Sequence, residues 1–219
     1  MASSPSPTRV KICGLSTEAT LTAALEAGAD WIGLVHFPRS PRHVALAGAA
    51  ALSALARGRA ERVILLVDPD DALLAASVEA VDPDLVQLHG RESPERVAAI
   101  RARTGRPVMK ALGIATSADL AALPAYAAVA DRILLDAKAP PDAALPGGNG
   151  RRFDWEILRG AALPPGTMLS GGLDAGNVAD ALARTGIGAV DVSSGVETAP
   201  GVKDPAKIAA FMAAARGLR

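Results

Sequence analysis

The sequence predicts an α/β protein folded as a single-domain (β/α)8 TIM barrel with eight parallel strands. Short apolar or β-branched segments alternate with longer alanine- and leucine-rich segments of helical spacing along the 219 residues. Strand segments such as Val63–Val67 are apolar throughout, which is typical of parallel strands buried on both faces. Eight strand–helix units in a chain of this length favour a compact closed barrel.

Each unit contributes one predicted strand and one predicted helix. The strands are Val10–Ile12, Trp31–Val35, Arg62–Val67, Leu85–Leu88, Val108–Ala111, Arg132–Leu135, Thr167–Leu169 and Ala189–Val192. The helices are Thr17–Ala27, Leu46–Ala56, Asp70–Val81, Pro94–Thr104, Ser117–Leu123, Trp155–Arg159, Asn177–Ala183 and Pro205–Ala215. Ser93 before Pro94 predicts a capped helix start, and Gly105 lies where a helix-ending glycine belongs.

The main alternative is an open doubly wound sheet, whose first turn binds a dinucleotide through closely spaced glycines. The first turn here, Cys13-Gly14-Leu15-Ser16, lacks that spacing, so the barrel is favoured. Residues 1–8 are rich in serine and proline and predict a disordered tail, which leaves residues 9–219 for the barrel domain. The longest irregular segment, residues 137–152, has the composition of a functional or mobile loop.

Composition narrows the partners of this chain. Lysine plus arginine equals aspartate plus glutamate at 23 each, so no global field favours nucleic acid or a membrane surface. We find no apolar stretch long enough to span a bilayer and no secretory leader. The single cysteine excludes an internal disulfide and suits a reducing compartment. We therefore expect a cytoplasmic protein, monomeric or homodimeric, whose ligand is a small molecule held by local geometry.

Two consecutive glycine- and serine-rich turns predict a phosphate site. In such barrels the site lies at the C-terminal ends of the strands, and phosphate often binds the turns after the seventh and eighth strands. Gly171 and Gly172 follow the seventh strand, and Ser193 and Ser194 follow the eighth. Glycine allows backbone amides to approach an anion closely. Either pair alone is also common in ordinary tight turns, so their joint placement carries the prediction.

Cys13 and Asp136 are the candidate catalytic pair. Cys13 ends the first strand, and Asp136 ends the apolar sixth strand, where a carboxylate loses solvation unless it has a partner or a task. From strands one and six, a thiol and a carboxyl group can face one substrate from opposite sides, which is the geometry of acid–base catalysis. A small buried hydrophobic role is the ordinary alternative for a free cysteine.

Four further polar residues are predicted to face the barrel interior. Gln87 and His89 lie two apart on strand four and share a face, which predicts a polar patch that contacts the ligand. Lys11 shares a face with Cys13, and Asp191 lies on the adjacent eighth strand. We expect Lys11 and Asp191 to interact in the barrel mouth, either in support of Cys13 or as an interior ion pair alone.

The second strand–helix turn carries Arg42, whose planar fork suits a carboxylate. The alternative for this turn is an ordinary solvated loop. His36, His43 and His89 stand apart and have no convincing metal spacing, so no metal site is predicted.

As a set, the motifs resemble phosphoribosylanthranilate isomerase from about residue 9 to the C-terminus. The matching segments are Lys11-Ile12-Cys13-Gly14, Ser40-Pro41-Arg42, Val86-Gln87-Leu88-His89-Gly90, Leu135-Asp136, Gly147-Gly148-Asn149-Gly150, Phe153-Asp154-Trp155, Leu169-Ser170-Gly171-Gly172-Leu173, Asp191-Val192-Ser193-Ser194-Gly195-Val196-Glu197 and Pro200-Gly201-Val202-Lys203-Asp204. Each motif is weak alone, but together and in order they are highly specific.

The resemblance implies a cofactor-independent barrel enzyme of tryptophan biosynthesis that rearranges N-(5-phosphoribosyl)anthranilate. It implies that Asp136 is the general acid that opens the ribose ring and that Cys13 is the general base at C2′. It also implies that Arg42 holds the anthranilate carboxylate and that phosphate binds at Gly171, Gly172, Ser193 and Ser194. The base has to be a thiolate, so we expect nearby positive charge, from Lys11, to hold the pKa of Cys13 down.

Three other functions remain to be compared with this one. An isomerase of the histidine pathway, including dual-substrate forms, carries aspartate where Cys13 stands and needs two phosphate sites. A metal-dependent pentose-phosphate epimerase would need histidine and aspartate ligands that are missing. A phosphosugar-binding barrel without activity would have no use for both Cys13 and Asp136. His36 departs from the family, which usually has an aromatic or apolar residue there.

Overall fold

The computed structural model confirms the predicted barrel, and it describes residues 7–140, 145, 147, 148, 150 and 152–217. Eight strands pair in chain order and close into a barrel, with β8 returning to β1. The strands are β1 Arg9–Cys13, β2 Trp31–Val35, β3 Glu61–Leu66, β4 Leu85–Leu88, β5 Val108–Ile114, β6 Arg132–Ala137, β7 Met168–Leu169 and β8 Ala189–Val192. The pairs between neighbouring strands are parallel.

The α-helices lie outside the strands, and α7 packs against α1 where the barrel closes. Those in the described residues are α1 Glu18–Glu26, α2 Leu46–Ala56, α3 Asp71–Val81, α4 Pro94–Thr104, α5 Leu123–Ala127, α6 Val178–Thr185 and α7 Pro205–Arg216. As predicted, the Ser93 hydroxyl caps α4, and Gly105 ends it in the left-handed region at φ +61°.

Two predicted helices differ in type from the expectation. The segment predicted as Ser117–Leu123 is a 3₁₀ helix over Ser117–Ala122, after which α5 begins with a proline in its first turn. Proline has no N–H to continue the preceding helix but suits the first turn of a new one. In the sixth unit, the segment predicted as the α-helix Trp155–Arg159 forms a 3₁₀ turn over Trp155–Leu158.

A short antiparallel hairpin after β8 was not predicted. It pairs β9, Glu197–Ala199, with β10, Val202–Lys203, across the turn at Pro200-Gly201. Another 3₁₀ turn, Ser194–Val196, leads into it. Of the predicted tail, residues 1–6 lie outside the described residues, as do 141–144, 146, 149 and 151 of the predicted loop.

Apolar side chains fill both sides of the sheet. The larger core lies between the strands and the outer helices. A smaller core inside the barrel consists of Trp31, Val63, Leu85, Met109, Ala111, Leu134, Met168 and Ala189. Since all eight strands run the same way, their C-terminal ends form one rim, and this inner core closes the barrel beneath that rim.

Candidate active site

A cavity with about 750 Å³ of empty space, counted to its open mouth, lies at the C-terminal rim of the strands. It brings together most of the residues that the sequence singled out. The predicted site residues that line it are Cys13, Arg42, His89, Asp136, Gly171, Gly172, Asp191, Ser193 and Ser194. Lys11 and Gln87 do not line it, because both are fully buried behind the first layer of side chains.

Cys13 forms part of the cavity wall and is 4% exposed. It pairs with Gly33 on β2, and a Cβ atom at position 33 would lie 3.0 Å from the Cys13 sulfur and 3.1 Å from Lys11 Nζ. The missing side chain of Gly33 therefore leaves the space in which the sulfur and the ammonium group sit.

Lys11 and Asp191 form a buried ion pair beneath Cys13. Lys11 Nζ donates to Asp191 Oδ1 at 2.7 Å, and the Ser170 hydroxyl donates to Asp191 Oδ2 at 3.1 Å. Burial lowers the pKa of Lys11, but the charges of Asp191 and Cys13 and the hydrogen bonds with them together outweigh burial and raise that pKa to about 12. Lys11 is therefore a permanent positive charge beside the sulfur.

The expectation that the pKa of Cys13 is held down is wrong for this structure. Burial raises the pKa of the Cys13 thiol above its ordinary value, because a charged sulfur loses its hydration there. The charge of Lys11 acts in the opposite direction and is the largest influence that does so. The thiol is consequently the stable form at neutral pH, and the thiolate is a minor form that Lys11 stabilises.

Asp136 ends β6 on the same cavity, with only 5% of its surface exposed. Its Oδ1 accepts a hydrogen bond from the Ala137 amide at 2.9 Å, and its Oδ2 lies 3.2 Å from His89 Nε2. Gly147 passes directly over this contact, since a Cβ atom there would collide with both His89 Nε2 and Asp136 Oδ2. The carboxyl group is thus held by two nitrogen neighbours and covered by backbone.

The glycine- and serine-rich turns after β7 and β8 also line the cavity. Gly171 adopts φ +90°, and a Cβ atom on it would lie 2.6 Å from the Ala137 amide nitrogen, so no larger residue fits. The Ser193 hydroxyl donates to the Cys13 carbonyl oxygen at 3.1 Å. The turn after β8, a predicted phosphate-binding turn, is therefore hydrogen-bonded directly to the backbone of Cys13, the predicted base.

Arg42 reaches the cavity but is already partnered. Its Nε and Nη2 donate to the two carboxylate oxygens of Glu197 at 2.7 and 2.8 Å, and Nη2 also lies 3.3 Å from the Gly148 carbonyl oxygen. Burial opposes the charge of Glu197, but the hydrogen bonds from Arg42 and the charge of Lys203 lower its pKa. Glu197 is therefore a carboxylate at neutral pH that fixes the guanidinium plane.

Sequence reasoning missed Glu197 and Lys203 as site residues. Lys203 Nζ donates to Glu197 Oε1 at 2.7 Å and to the Ser193 carbonyl oxygen at 2.9 Å, so one lysine joins the hairpin to the turn after β8. The available signal was the Pro200-Gly201 dipeptide, which indicates a turn, but the segments beside it are too short to show which of their residues face the site.

Residues 10–214 match the family described as N-(5'phosphoribosyl)anthranilate (PRA) isomerase. The N-(5'-phosphoribosyl)anthranilate isomerase of Azorhizobium caulinodans is 68% identical over 209 residues, covering 94% of this chain and 91% of the relative. That of Rhodopseudomonas palustris strain BisA53 is 65% identical over 210 residues, covering 96% of each. The chain belongs to this family.

Solved structures of family members have the same barrel. The phosphoribosyl anthranilate isomerase from Thermotoga maritima superposes with a TM-score of 0.86 at 35% identity, covering 96% of this chain and 100% of the other. A phosphoribosyl anthranilate isomerase in complex with reduced 1-(o-carboxyphenylamino)-1-deoxyribulose 5-phosphate has a TM-score of 0.84 at 33% identity, with the same coverage. The rim cavity of this phosphoribosylanthranilate isomerase family member is therefore its candidate active site.

Two kinds of feature are absent from the described residues. No helix among them is long and apolar enough to cross a membrane. No group of three or more histidine, cysteine, aspartate or glutamate side chains in that part of the chain is arranged to hold a metal ion.

Proposed function

We propose that Cys13 and Asp136 are the base and the acid of the phosphoribosylanthranilate isomerase reaction in this chain. The protein is an aldose–ketose isomerase of tryptophan biosynthesis. It converts N-(5-phosphoribosyl)anthranilate into 1-(o-carboxyphenylamino)-1-deoxyribulose 5-phosphate by an Amadori rearrangement. The observation that carries the assignment is that Cys13, Asp136 and the turns after β7 and β8 line one cavity.

The first step needs an acid, and Asp136 supplies it. Its carboxyl group gives a proton to the ribose ring oxygen while the bond between that oxygen and C1′ breaks. The lone pair of the anthranilate nitrogen forms the C1′=N bond, which yields a protonated Schiff base. Asp136 becomes a carboxylate, and the Ala137 amide at 2.9 Å stabilises the new charge.

The second step needs a base, and Cys13 supplies it as the thiolate. The sulfur takes the proton from C2′, and the electrons of that C–H bond form the C1′=C2′ bond while the C1′=N electrons return to nitrogen. The neutral enolamine then tautomerises to the ketone. Lys11 is the charge that makes the thiolate accessible in this buried place.

The remaining lining residues each bind a different part of the substrate. Val35, Phe37, Leu65 and Val67 form an apolar wall around Cys13, which suits the aromatic ring. Arg42 holds the anthranilate carboxylate, with its plane set by Glu197. The turns at Gly171, Gly172, Ser193 and Ser194 hold the phosphate, and His89 completes the wall beside Asp136. No step in this scheme requires a metal ion or an organic cofactor.

The test is an assay of the purified protein, because phosphoribosylanthranilate is fluorescent and its consumption can be followed directly. Cys13→Ala and Asp136→Asn should each lower turnover by about 10²- to 10⁴-fold with an unchanged circular dichroism spectrum. Near-normal activity of Cys13→Ala would remove the thiol from the mechanism. Turnover of the histidine-pathway aminoaldose at a comparable rate would indicate the dual-substrate alternative.

Assembly and location are part of the same proposal. A small-molecule substrate needs no macromolecular partner, and the chain is proposed to act as a monomer or a homodimer in the cytoplasm. A solved relative from Thermotoga maritima is described as dimeric, with monomers generated by mutation. Light scattering of the purified protein at several concentrations distinguishes the two states.

A further inference from the structure

Gln87 has a place in the structure that substrate binding does not explain. Its side chain is fully buried in β4 and does not line the cavity. Its Nε2 lies 3.1 Å from His89 Nδ1, whereas its Oε1 is buried without a hydrogen-bond partner in the described part of the chain. An unpaired buried oxygen is unfavourable, so an apolar residue would fit here better unless the bond to His89 has a use.

The contact with Gln87 decides where the proton of His89 lies. In the orientation that the structure gives the Gln87 amide, its nitrogen faces His89 Nδ1 and can only donate, so Nδ1 accepts. A neutral imidazole carries one N–H, which is then on Nε2. His89 Nε2 is the atom that lies 3.2 Å from Asp136 Oδ2. The ring therefore points a donor, and not a lone pair, at the acid.

That donor matters most after Asp136 has given up its proton. The resulting carboxylate would accept from His89 Nε2–H at Oδ2 and from the Ala137 amide at Oδ1. Hydrogen bonds to the charged form stabilise it, and fixed donors aimed at developing charge are effective in a site that excludes water. With the other tautomer, a ring lone pair would face the carboxylate and oppose proton donation.

The surroundings of His89 hold its neighbouring backbone and cover its ring. The buried pair of Lys110 and Glu92 holds the next residue, since Lys110 Nζ donates to the Gly90 carbonyl oxygen at 2.7 Å and the Gly90 amide donates to Glu92 Oε2 at 3.0 Å. Gly147 covers the outer side of the ring. The backbone next to His89 is thus fixed, and among the described residues Gln87 is the side chain that lies within hydrogen-bonding distance of His89 Nδ1.

We propose that Gln87 is a positioning residue that locks His89 as the Nε2–H tautomer, so that His89 stabilises the carboxylate left on Asp136 by proton donation. The proposal rests on the assignment of Asp136 as the general acid. Gln87 acts only through His89 and touches neither substrate nor reacting atoms.

The tautomer can be read directly in the unmutated protein. The chain contains three histidines, so a sample labelled with ¹⁵N-histidine gives few ring signals, and a His89→Gln sample identifies those of His89. The Nε2 nitrogen of His89 should have the shift of a protonated nitrogen and Nδ1 that of a lone-pair nitrogen. The reverse pattern would overturn the proposal without any functional measurement.

Gln87→Met tests the consequence for catalysis. Methionine matches the length of glutamine but has no N–H, so His89 should populate both tautomers in the ¹⁵N spectrum. We expect kcat to fall by up to about tenfold, because a hydrogen bond of ordinary strength is worth about that much in rate. KM should stay within about twofold, since Gln87 does not reach the cavity. An unchanged kcat, or a KM raised as much as kcat falls, would contradict the proposal.

Two comparisons separate this inference from simpler effects. Met109 pairs with Gln87 across β4 and β5 and is also fully buried, so Met109→Leu is a packing control that should change neither the tautomer nor kcat. In a His89→Ala background, Gln87→Met should cause no further loss, because its effect passes through the ring. An additional loss of kcat in that background would contradict the role of Gln87 and leave the assignment of Asp136 intact. An active Asp136→Asn variant would contradict the assignment of Asp136 as the acid.

Discussion

The two ends of the barrel both contain pairs of oppositely charged side chains, but these pairs differ in how deeply they are buried. At the C-terminal rim, the side chains of Lys11 and Asp191 are 0% and 5% exposed, and their pair lies next to the cavity. At the opposite end, Arg57 and Asp82 form a pair whose side chains are 59% and 42% exposed. Exposed pairs are weakened by water and salt, whereas buried ones are strong only when every partner is present.

The inside of the barrel also differs between the closed end and the open end. Toward the closed end, Trp31 plugs the barrel, with Arg9 Cζ 3.8 Å from its ring centre and its Nε1 donating to Glu61 Oε2 at 2.7 Å. Toward the open end, that space holds ionisable groups around a cavity. We conclude that charge at the rim sets protonation and ligand contacts, whereas the closed end supplies stability. The following changes test that division.

The largest effect is expected for Lys11→Met, which leaves Asp191 charged and buried, with Ser170 as its remaining hydrogen-bond partner among the described residues. Breaking a buried pair in this way costs about 3–5 kcal/mol of unfolding free energy, and activity should fall as well because the sulfur loses its positive neighbour. Urea unfolding and steady-state assays measure the two losses. The double variant Lys11→Met/Asp191→Leu should recover stability but not activity, and recovery of both would contradict a chemical role.

The same pair gives the unmutated protein an alkaline pH dependence. The pKa of Lys11 is raised from 10.5 to about 12 in the folded state. Its contribution to stability is therefore fully present below pH 10.5 and is lost as the pH rises through about 12. Lys11→Met should lack that part of the stability curve.

Next in size is Arg42→Lys. Lysine cannot make the paired contacts that the guanidinium makes with Glu197, so it presents no fixed plane to the substrate carboxylate. A lost hydrogen bond to a charged group is worth about 1.5–3 kcal/mol, which corresponds to a KM higher by roughly 10- to 100-fold. A change in kcat alone would show that Arg42 does not bind the ground state.

Trp31→Phe tests the closed end. It removes the hydrogen bond to Glu61 and part of the ring that fills the barrel, and we expect unfolding free energy to fall by about 1–3 kcal/mol. Turnover per folded molecule should not change, since Trp31 is not among the residues that line the cavity. A parallel loss of kcat would show that the two ends are coupled.

The Cys13 thiol gives the site its own dependence on pH. The pKa of Cys13 is raised above 9.0 by burial, so the thiolate fraction should rise about tenfold per pH unit through neutrality and continue to rise above pH 9.0. The difference in ultraviolet absorbance between the unmutated protein and Cys13→Ala measures that fraction. A plateau already reached near neutral pH would show that the thiolate forms more easily than the burial of Cys13 implies.

The smallest effect is expected for Asp82→Asn. Hydrogen bonds from Arg57 lower the pKa of this exposed carboxylate. The contribution of Asp82 to stability is therefore present above its ordinary pKa of 3.8 and lost as the pH falls through the lowered value. Thermal unfolding at neutral pH should shift slightly and turnover should stay the same, which makes it the matched control for Lys11→Met.

Local sequence signals predicted the fold well because each strand–helix unit contains its own apolar strand and its own helix start and end signals. The strands at Trp31–Val35, Leu85–Leu88 and Ala189–Val192 have the predicted bounds, and α4 has both its predicted cap and its ending glycine. The signals failed where a proline breaks the helical pattern, as before α5. They also failed at the hairpin β9–β10, whose strands are too short to show alternation.

The site was predictable to the extent that strand periodicity places residues on a common face. That periodicity placed Lys11 beneath Cys13, and chain order placed β8 with Asp191 beside β1. Burial depth was not predictable, which is why the sequence overestimated the acidity of Cys13 and assigned Gln87 to the substrate. The partnership of Arg42 with Glu197 joins residues 155 positions apart, and no local pattern reports it.

Gly33 on β2 leaves room, because it has no side chain, for two side chains of the neighbouring strand β1. The sulfur of Cys13 and the ammonium of Lys11 occupy room that any larger residue at position 33 would take. A side chain at position 33 would therefore require the sulfur or the ammonium group to shift by a few tenths of an ångström, so positions 13 and 33 are coupled. A lineage that replaced the thiol with a bulkier base would have to keep this glycine, and one that acquired a side chain at 33 would have to shift its base or the neighbouring ammonium group.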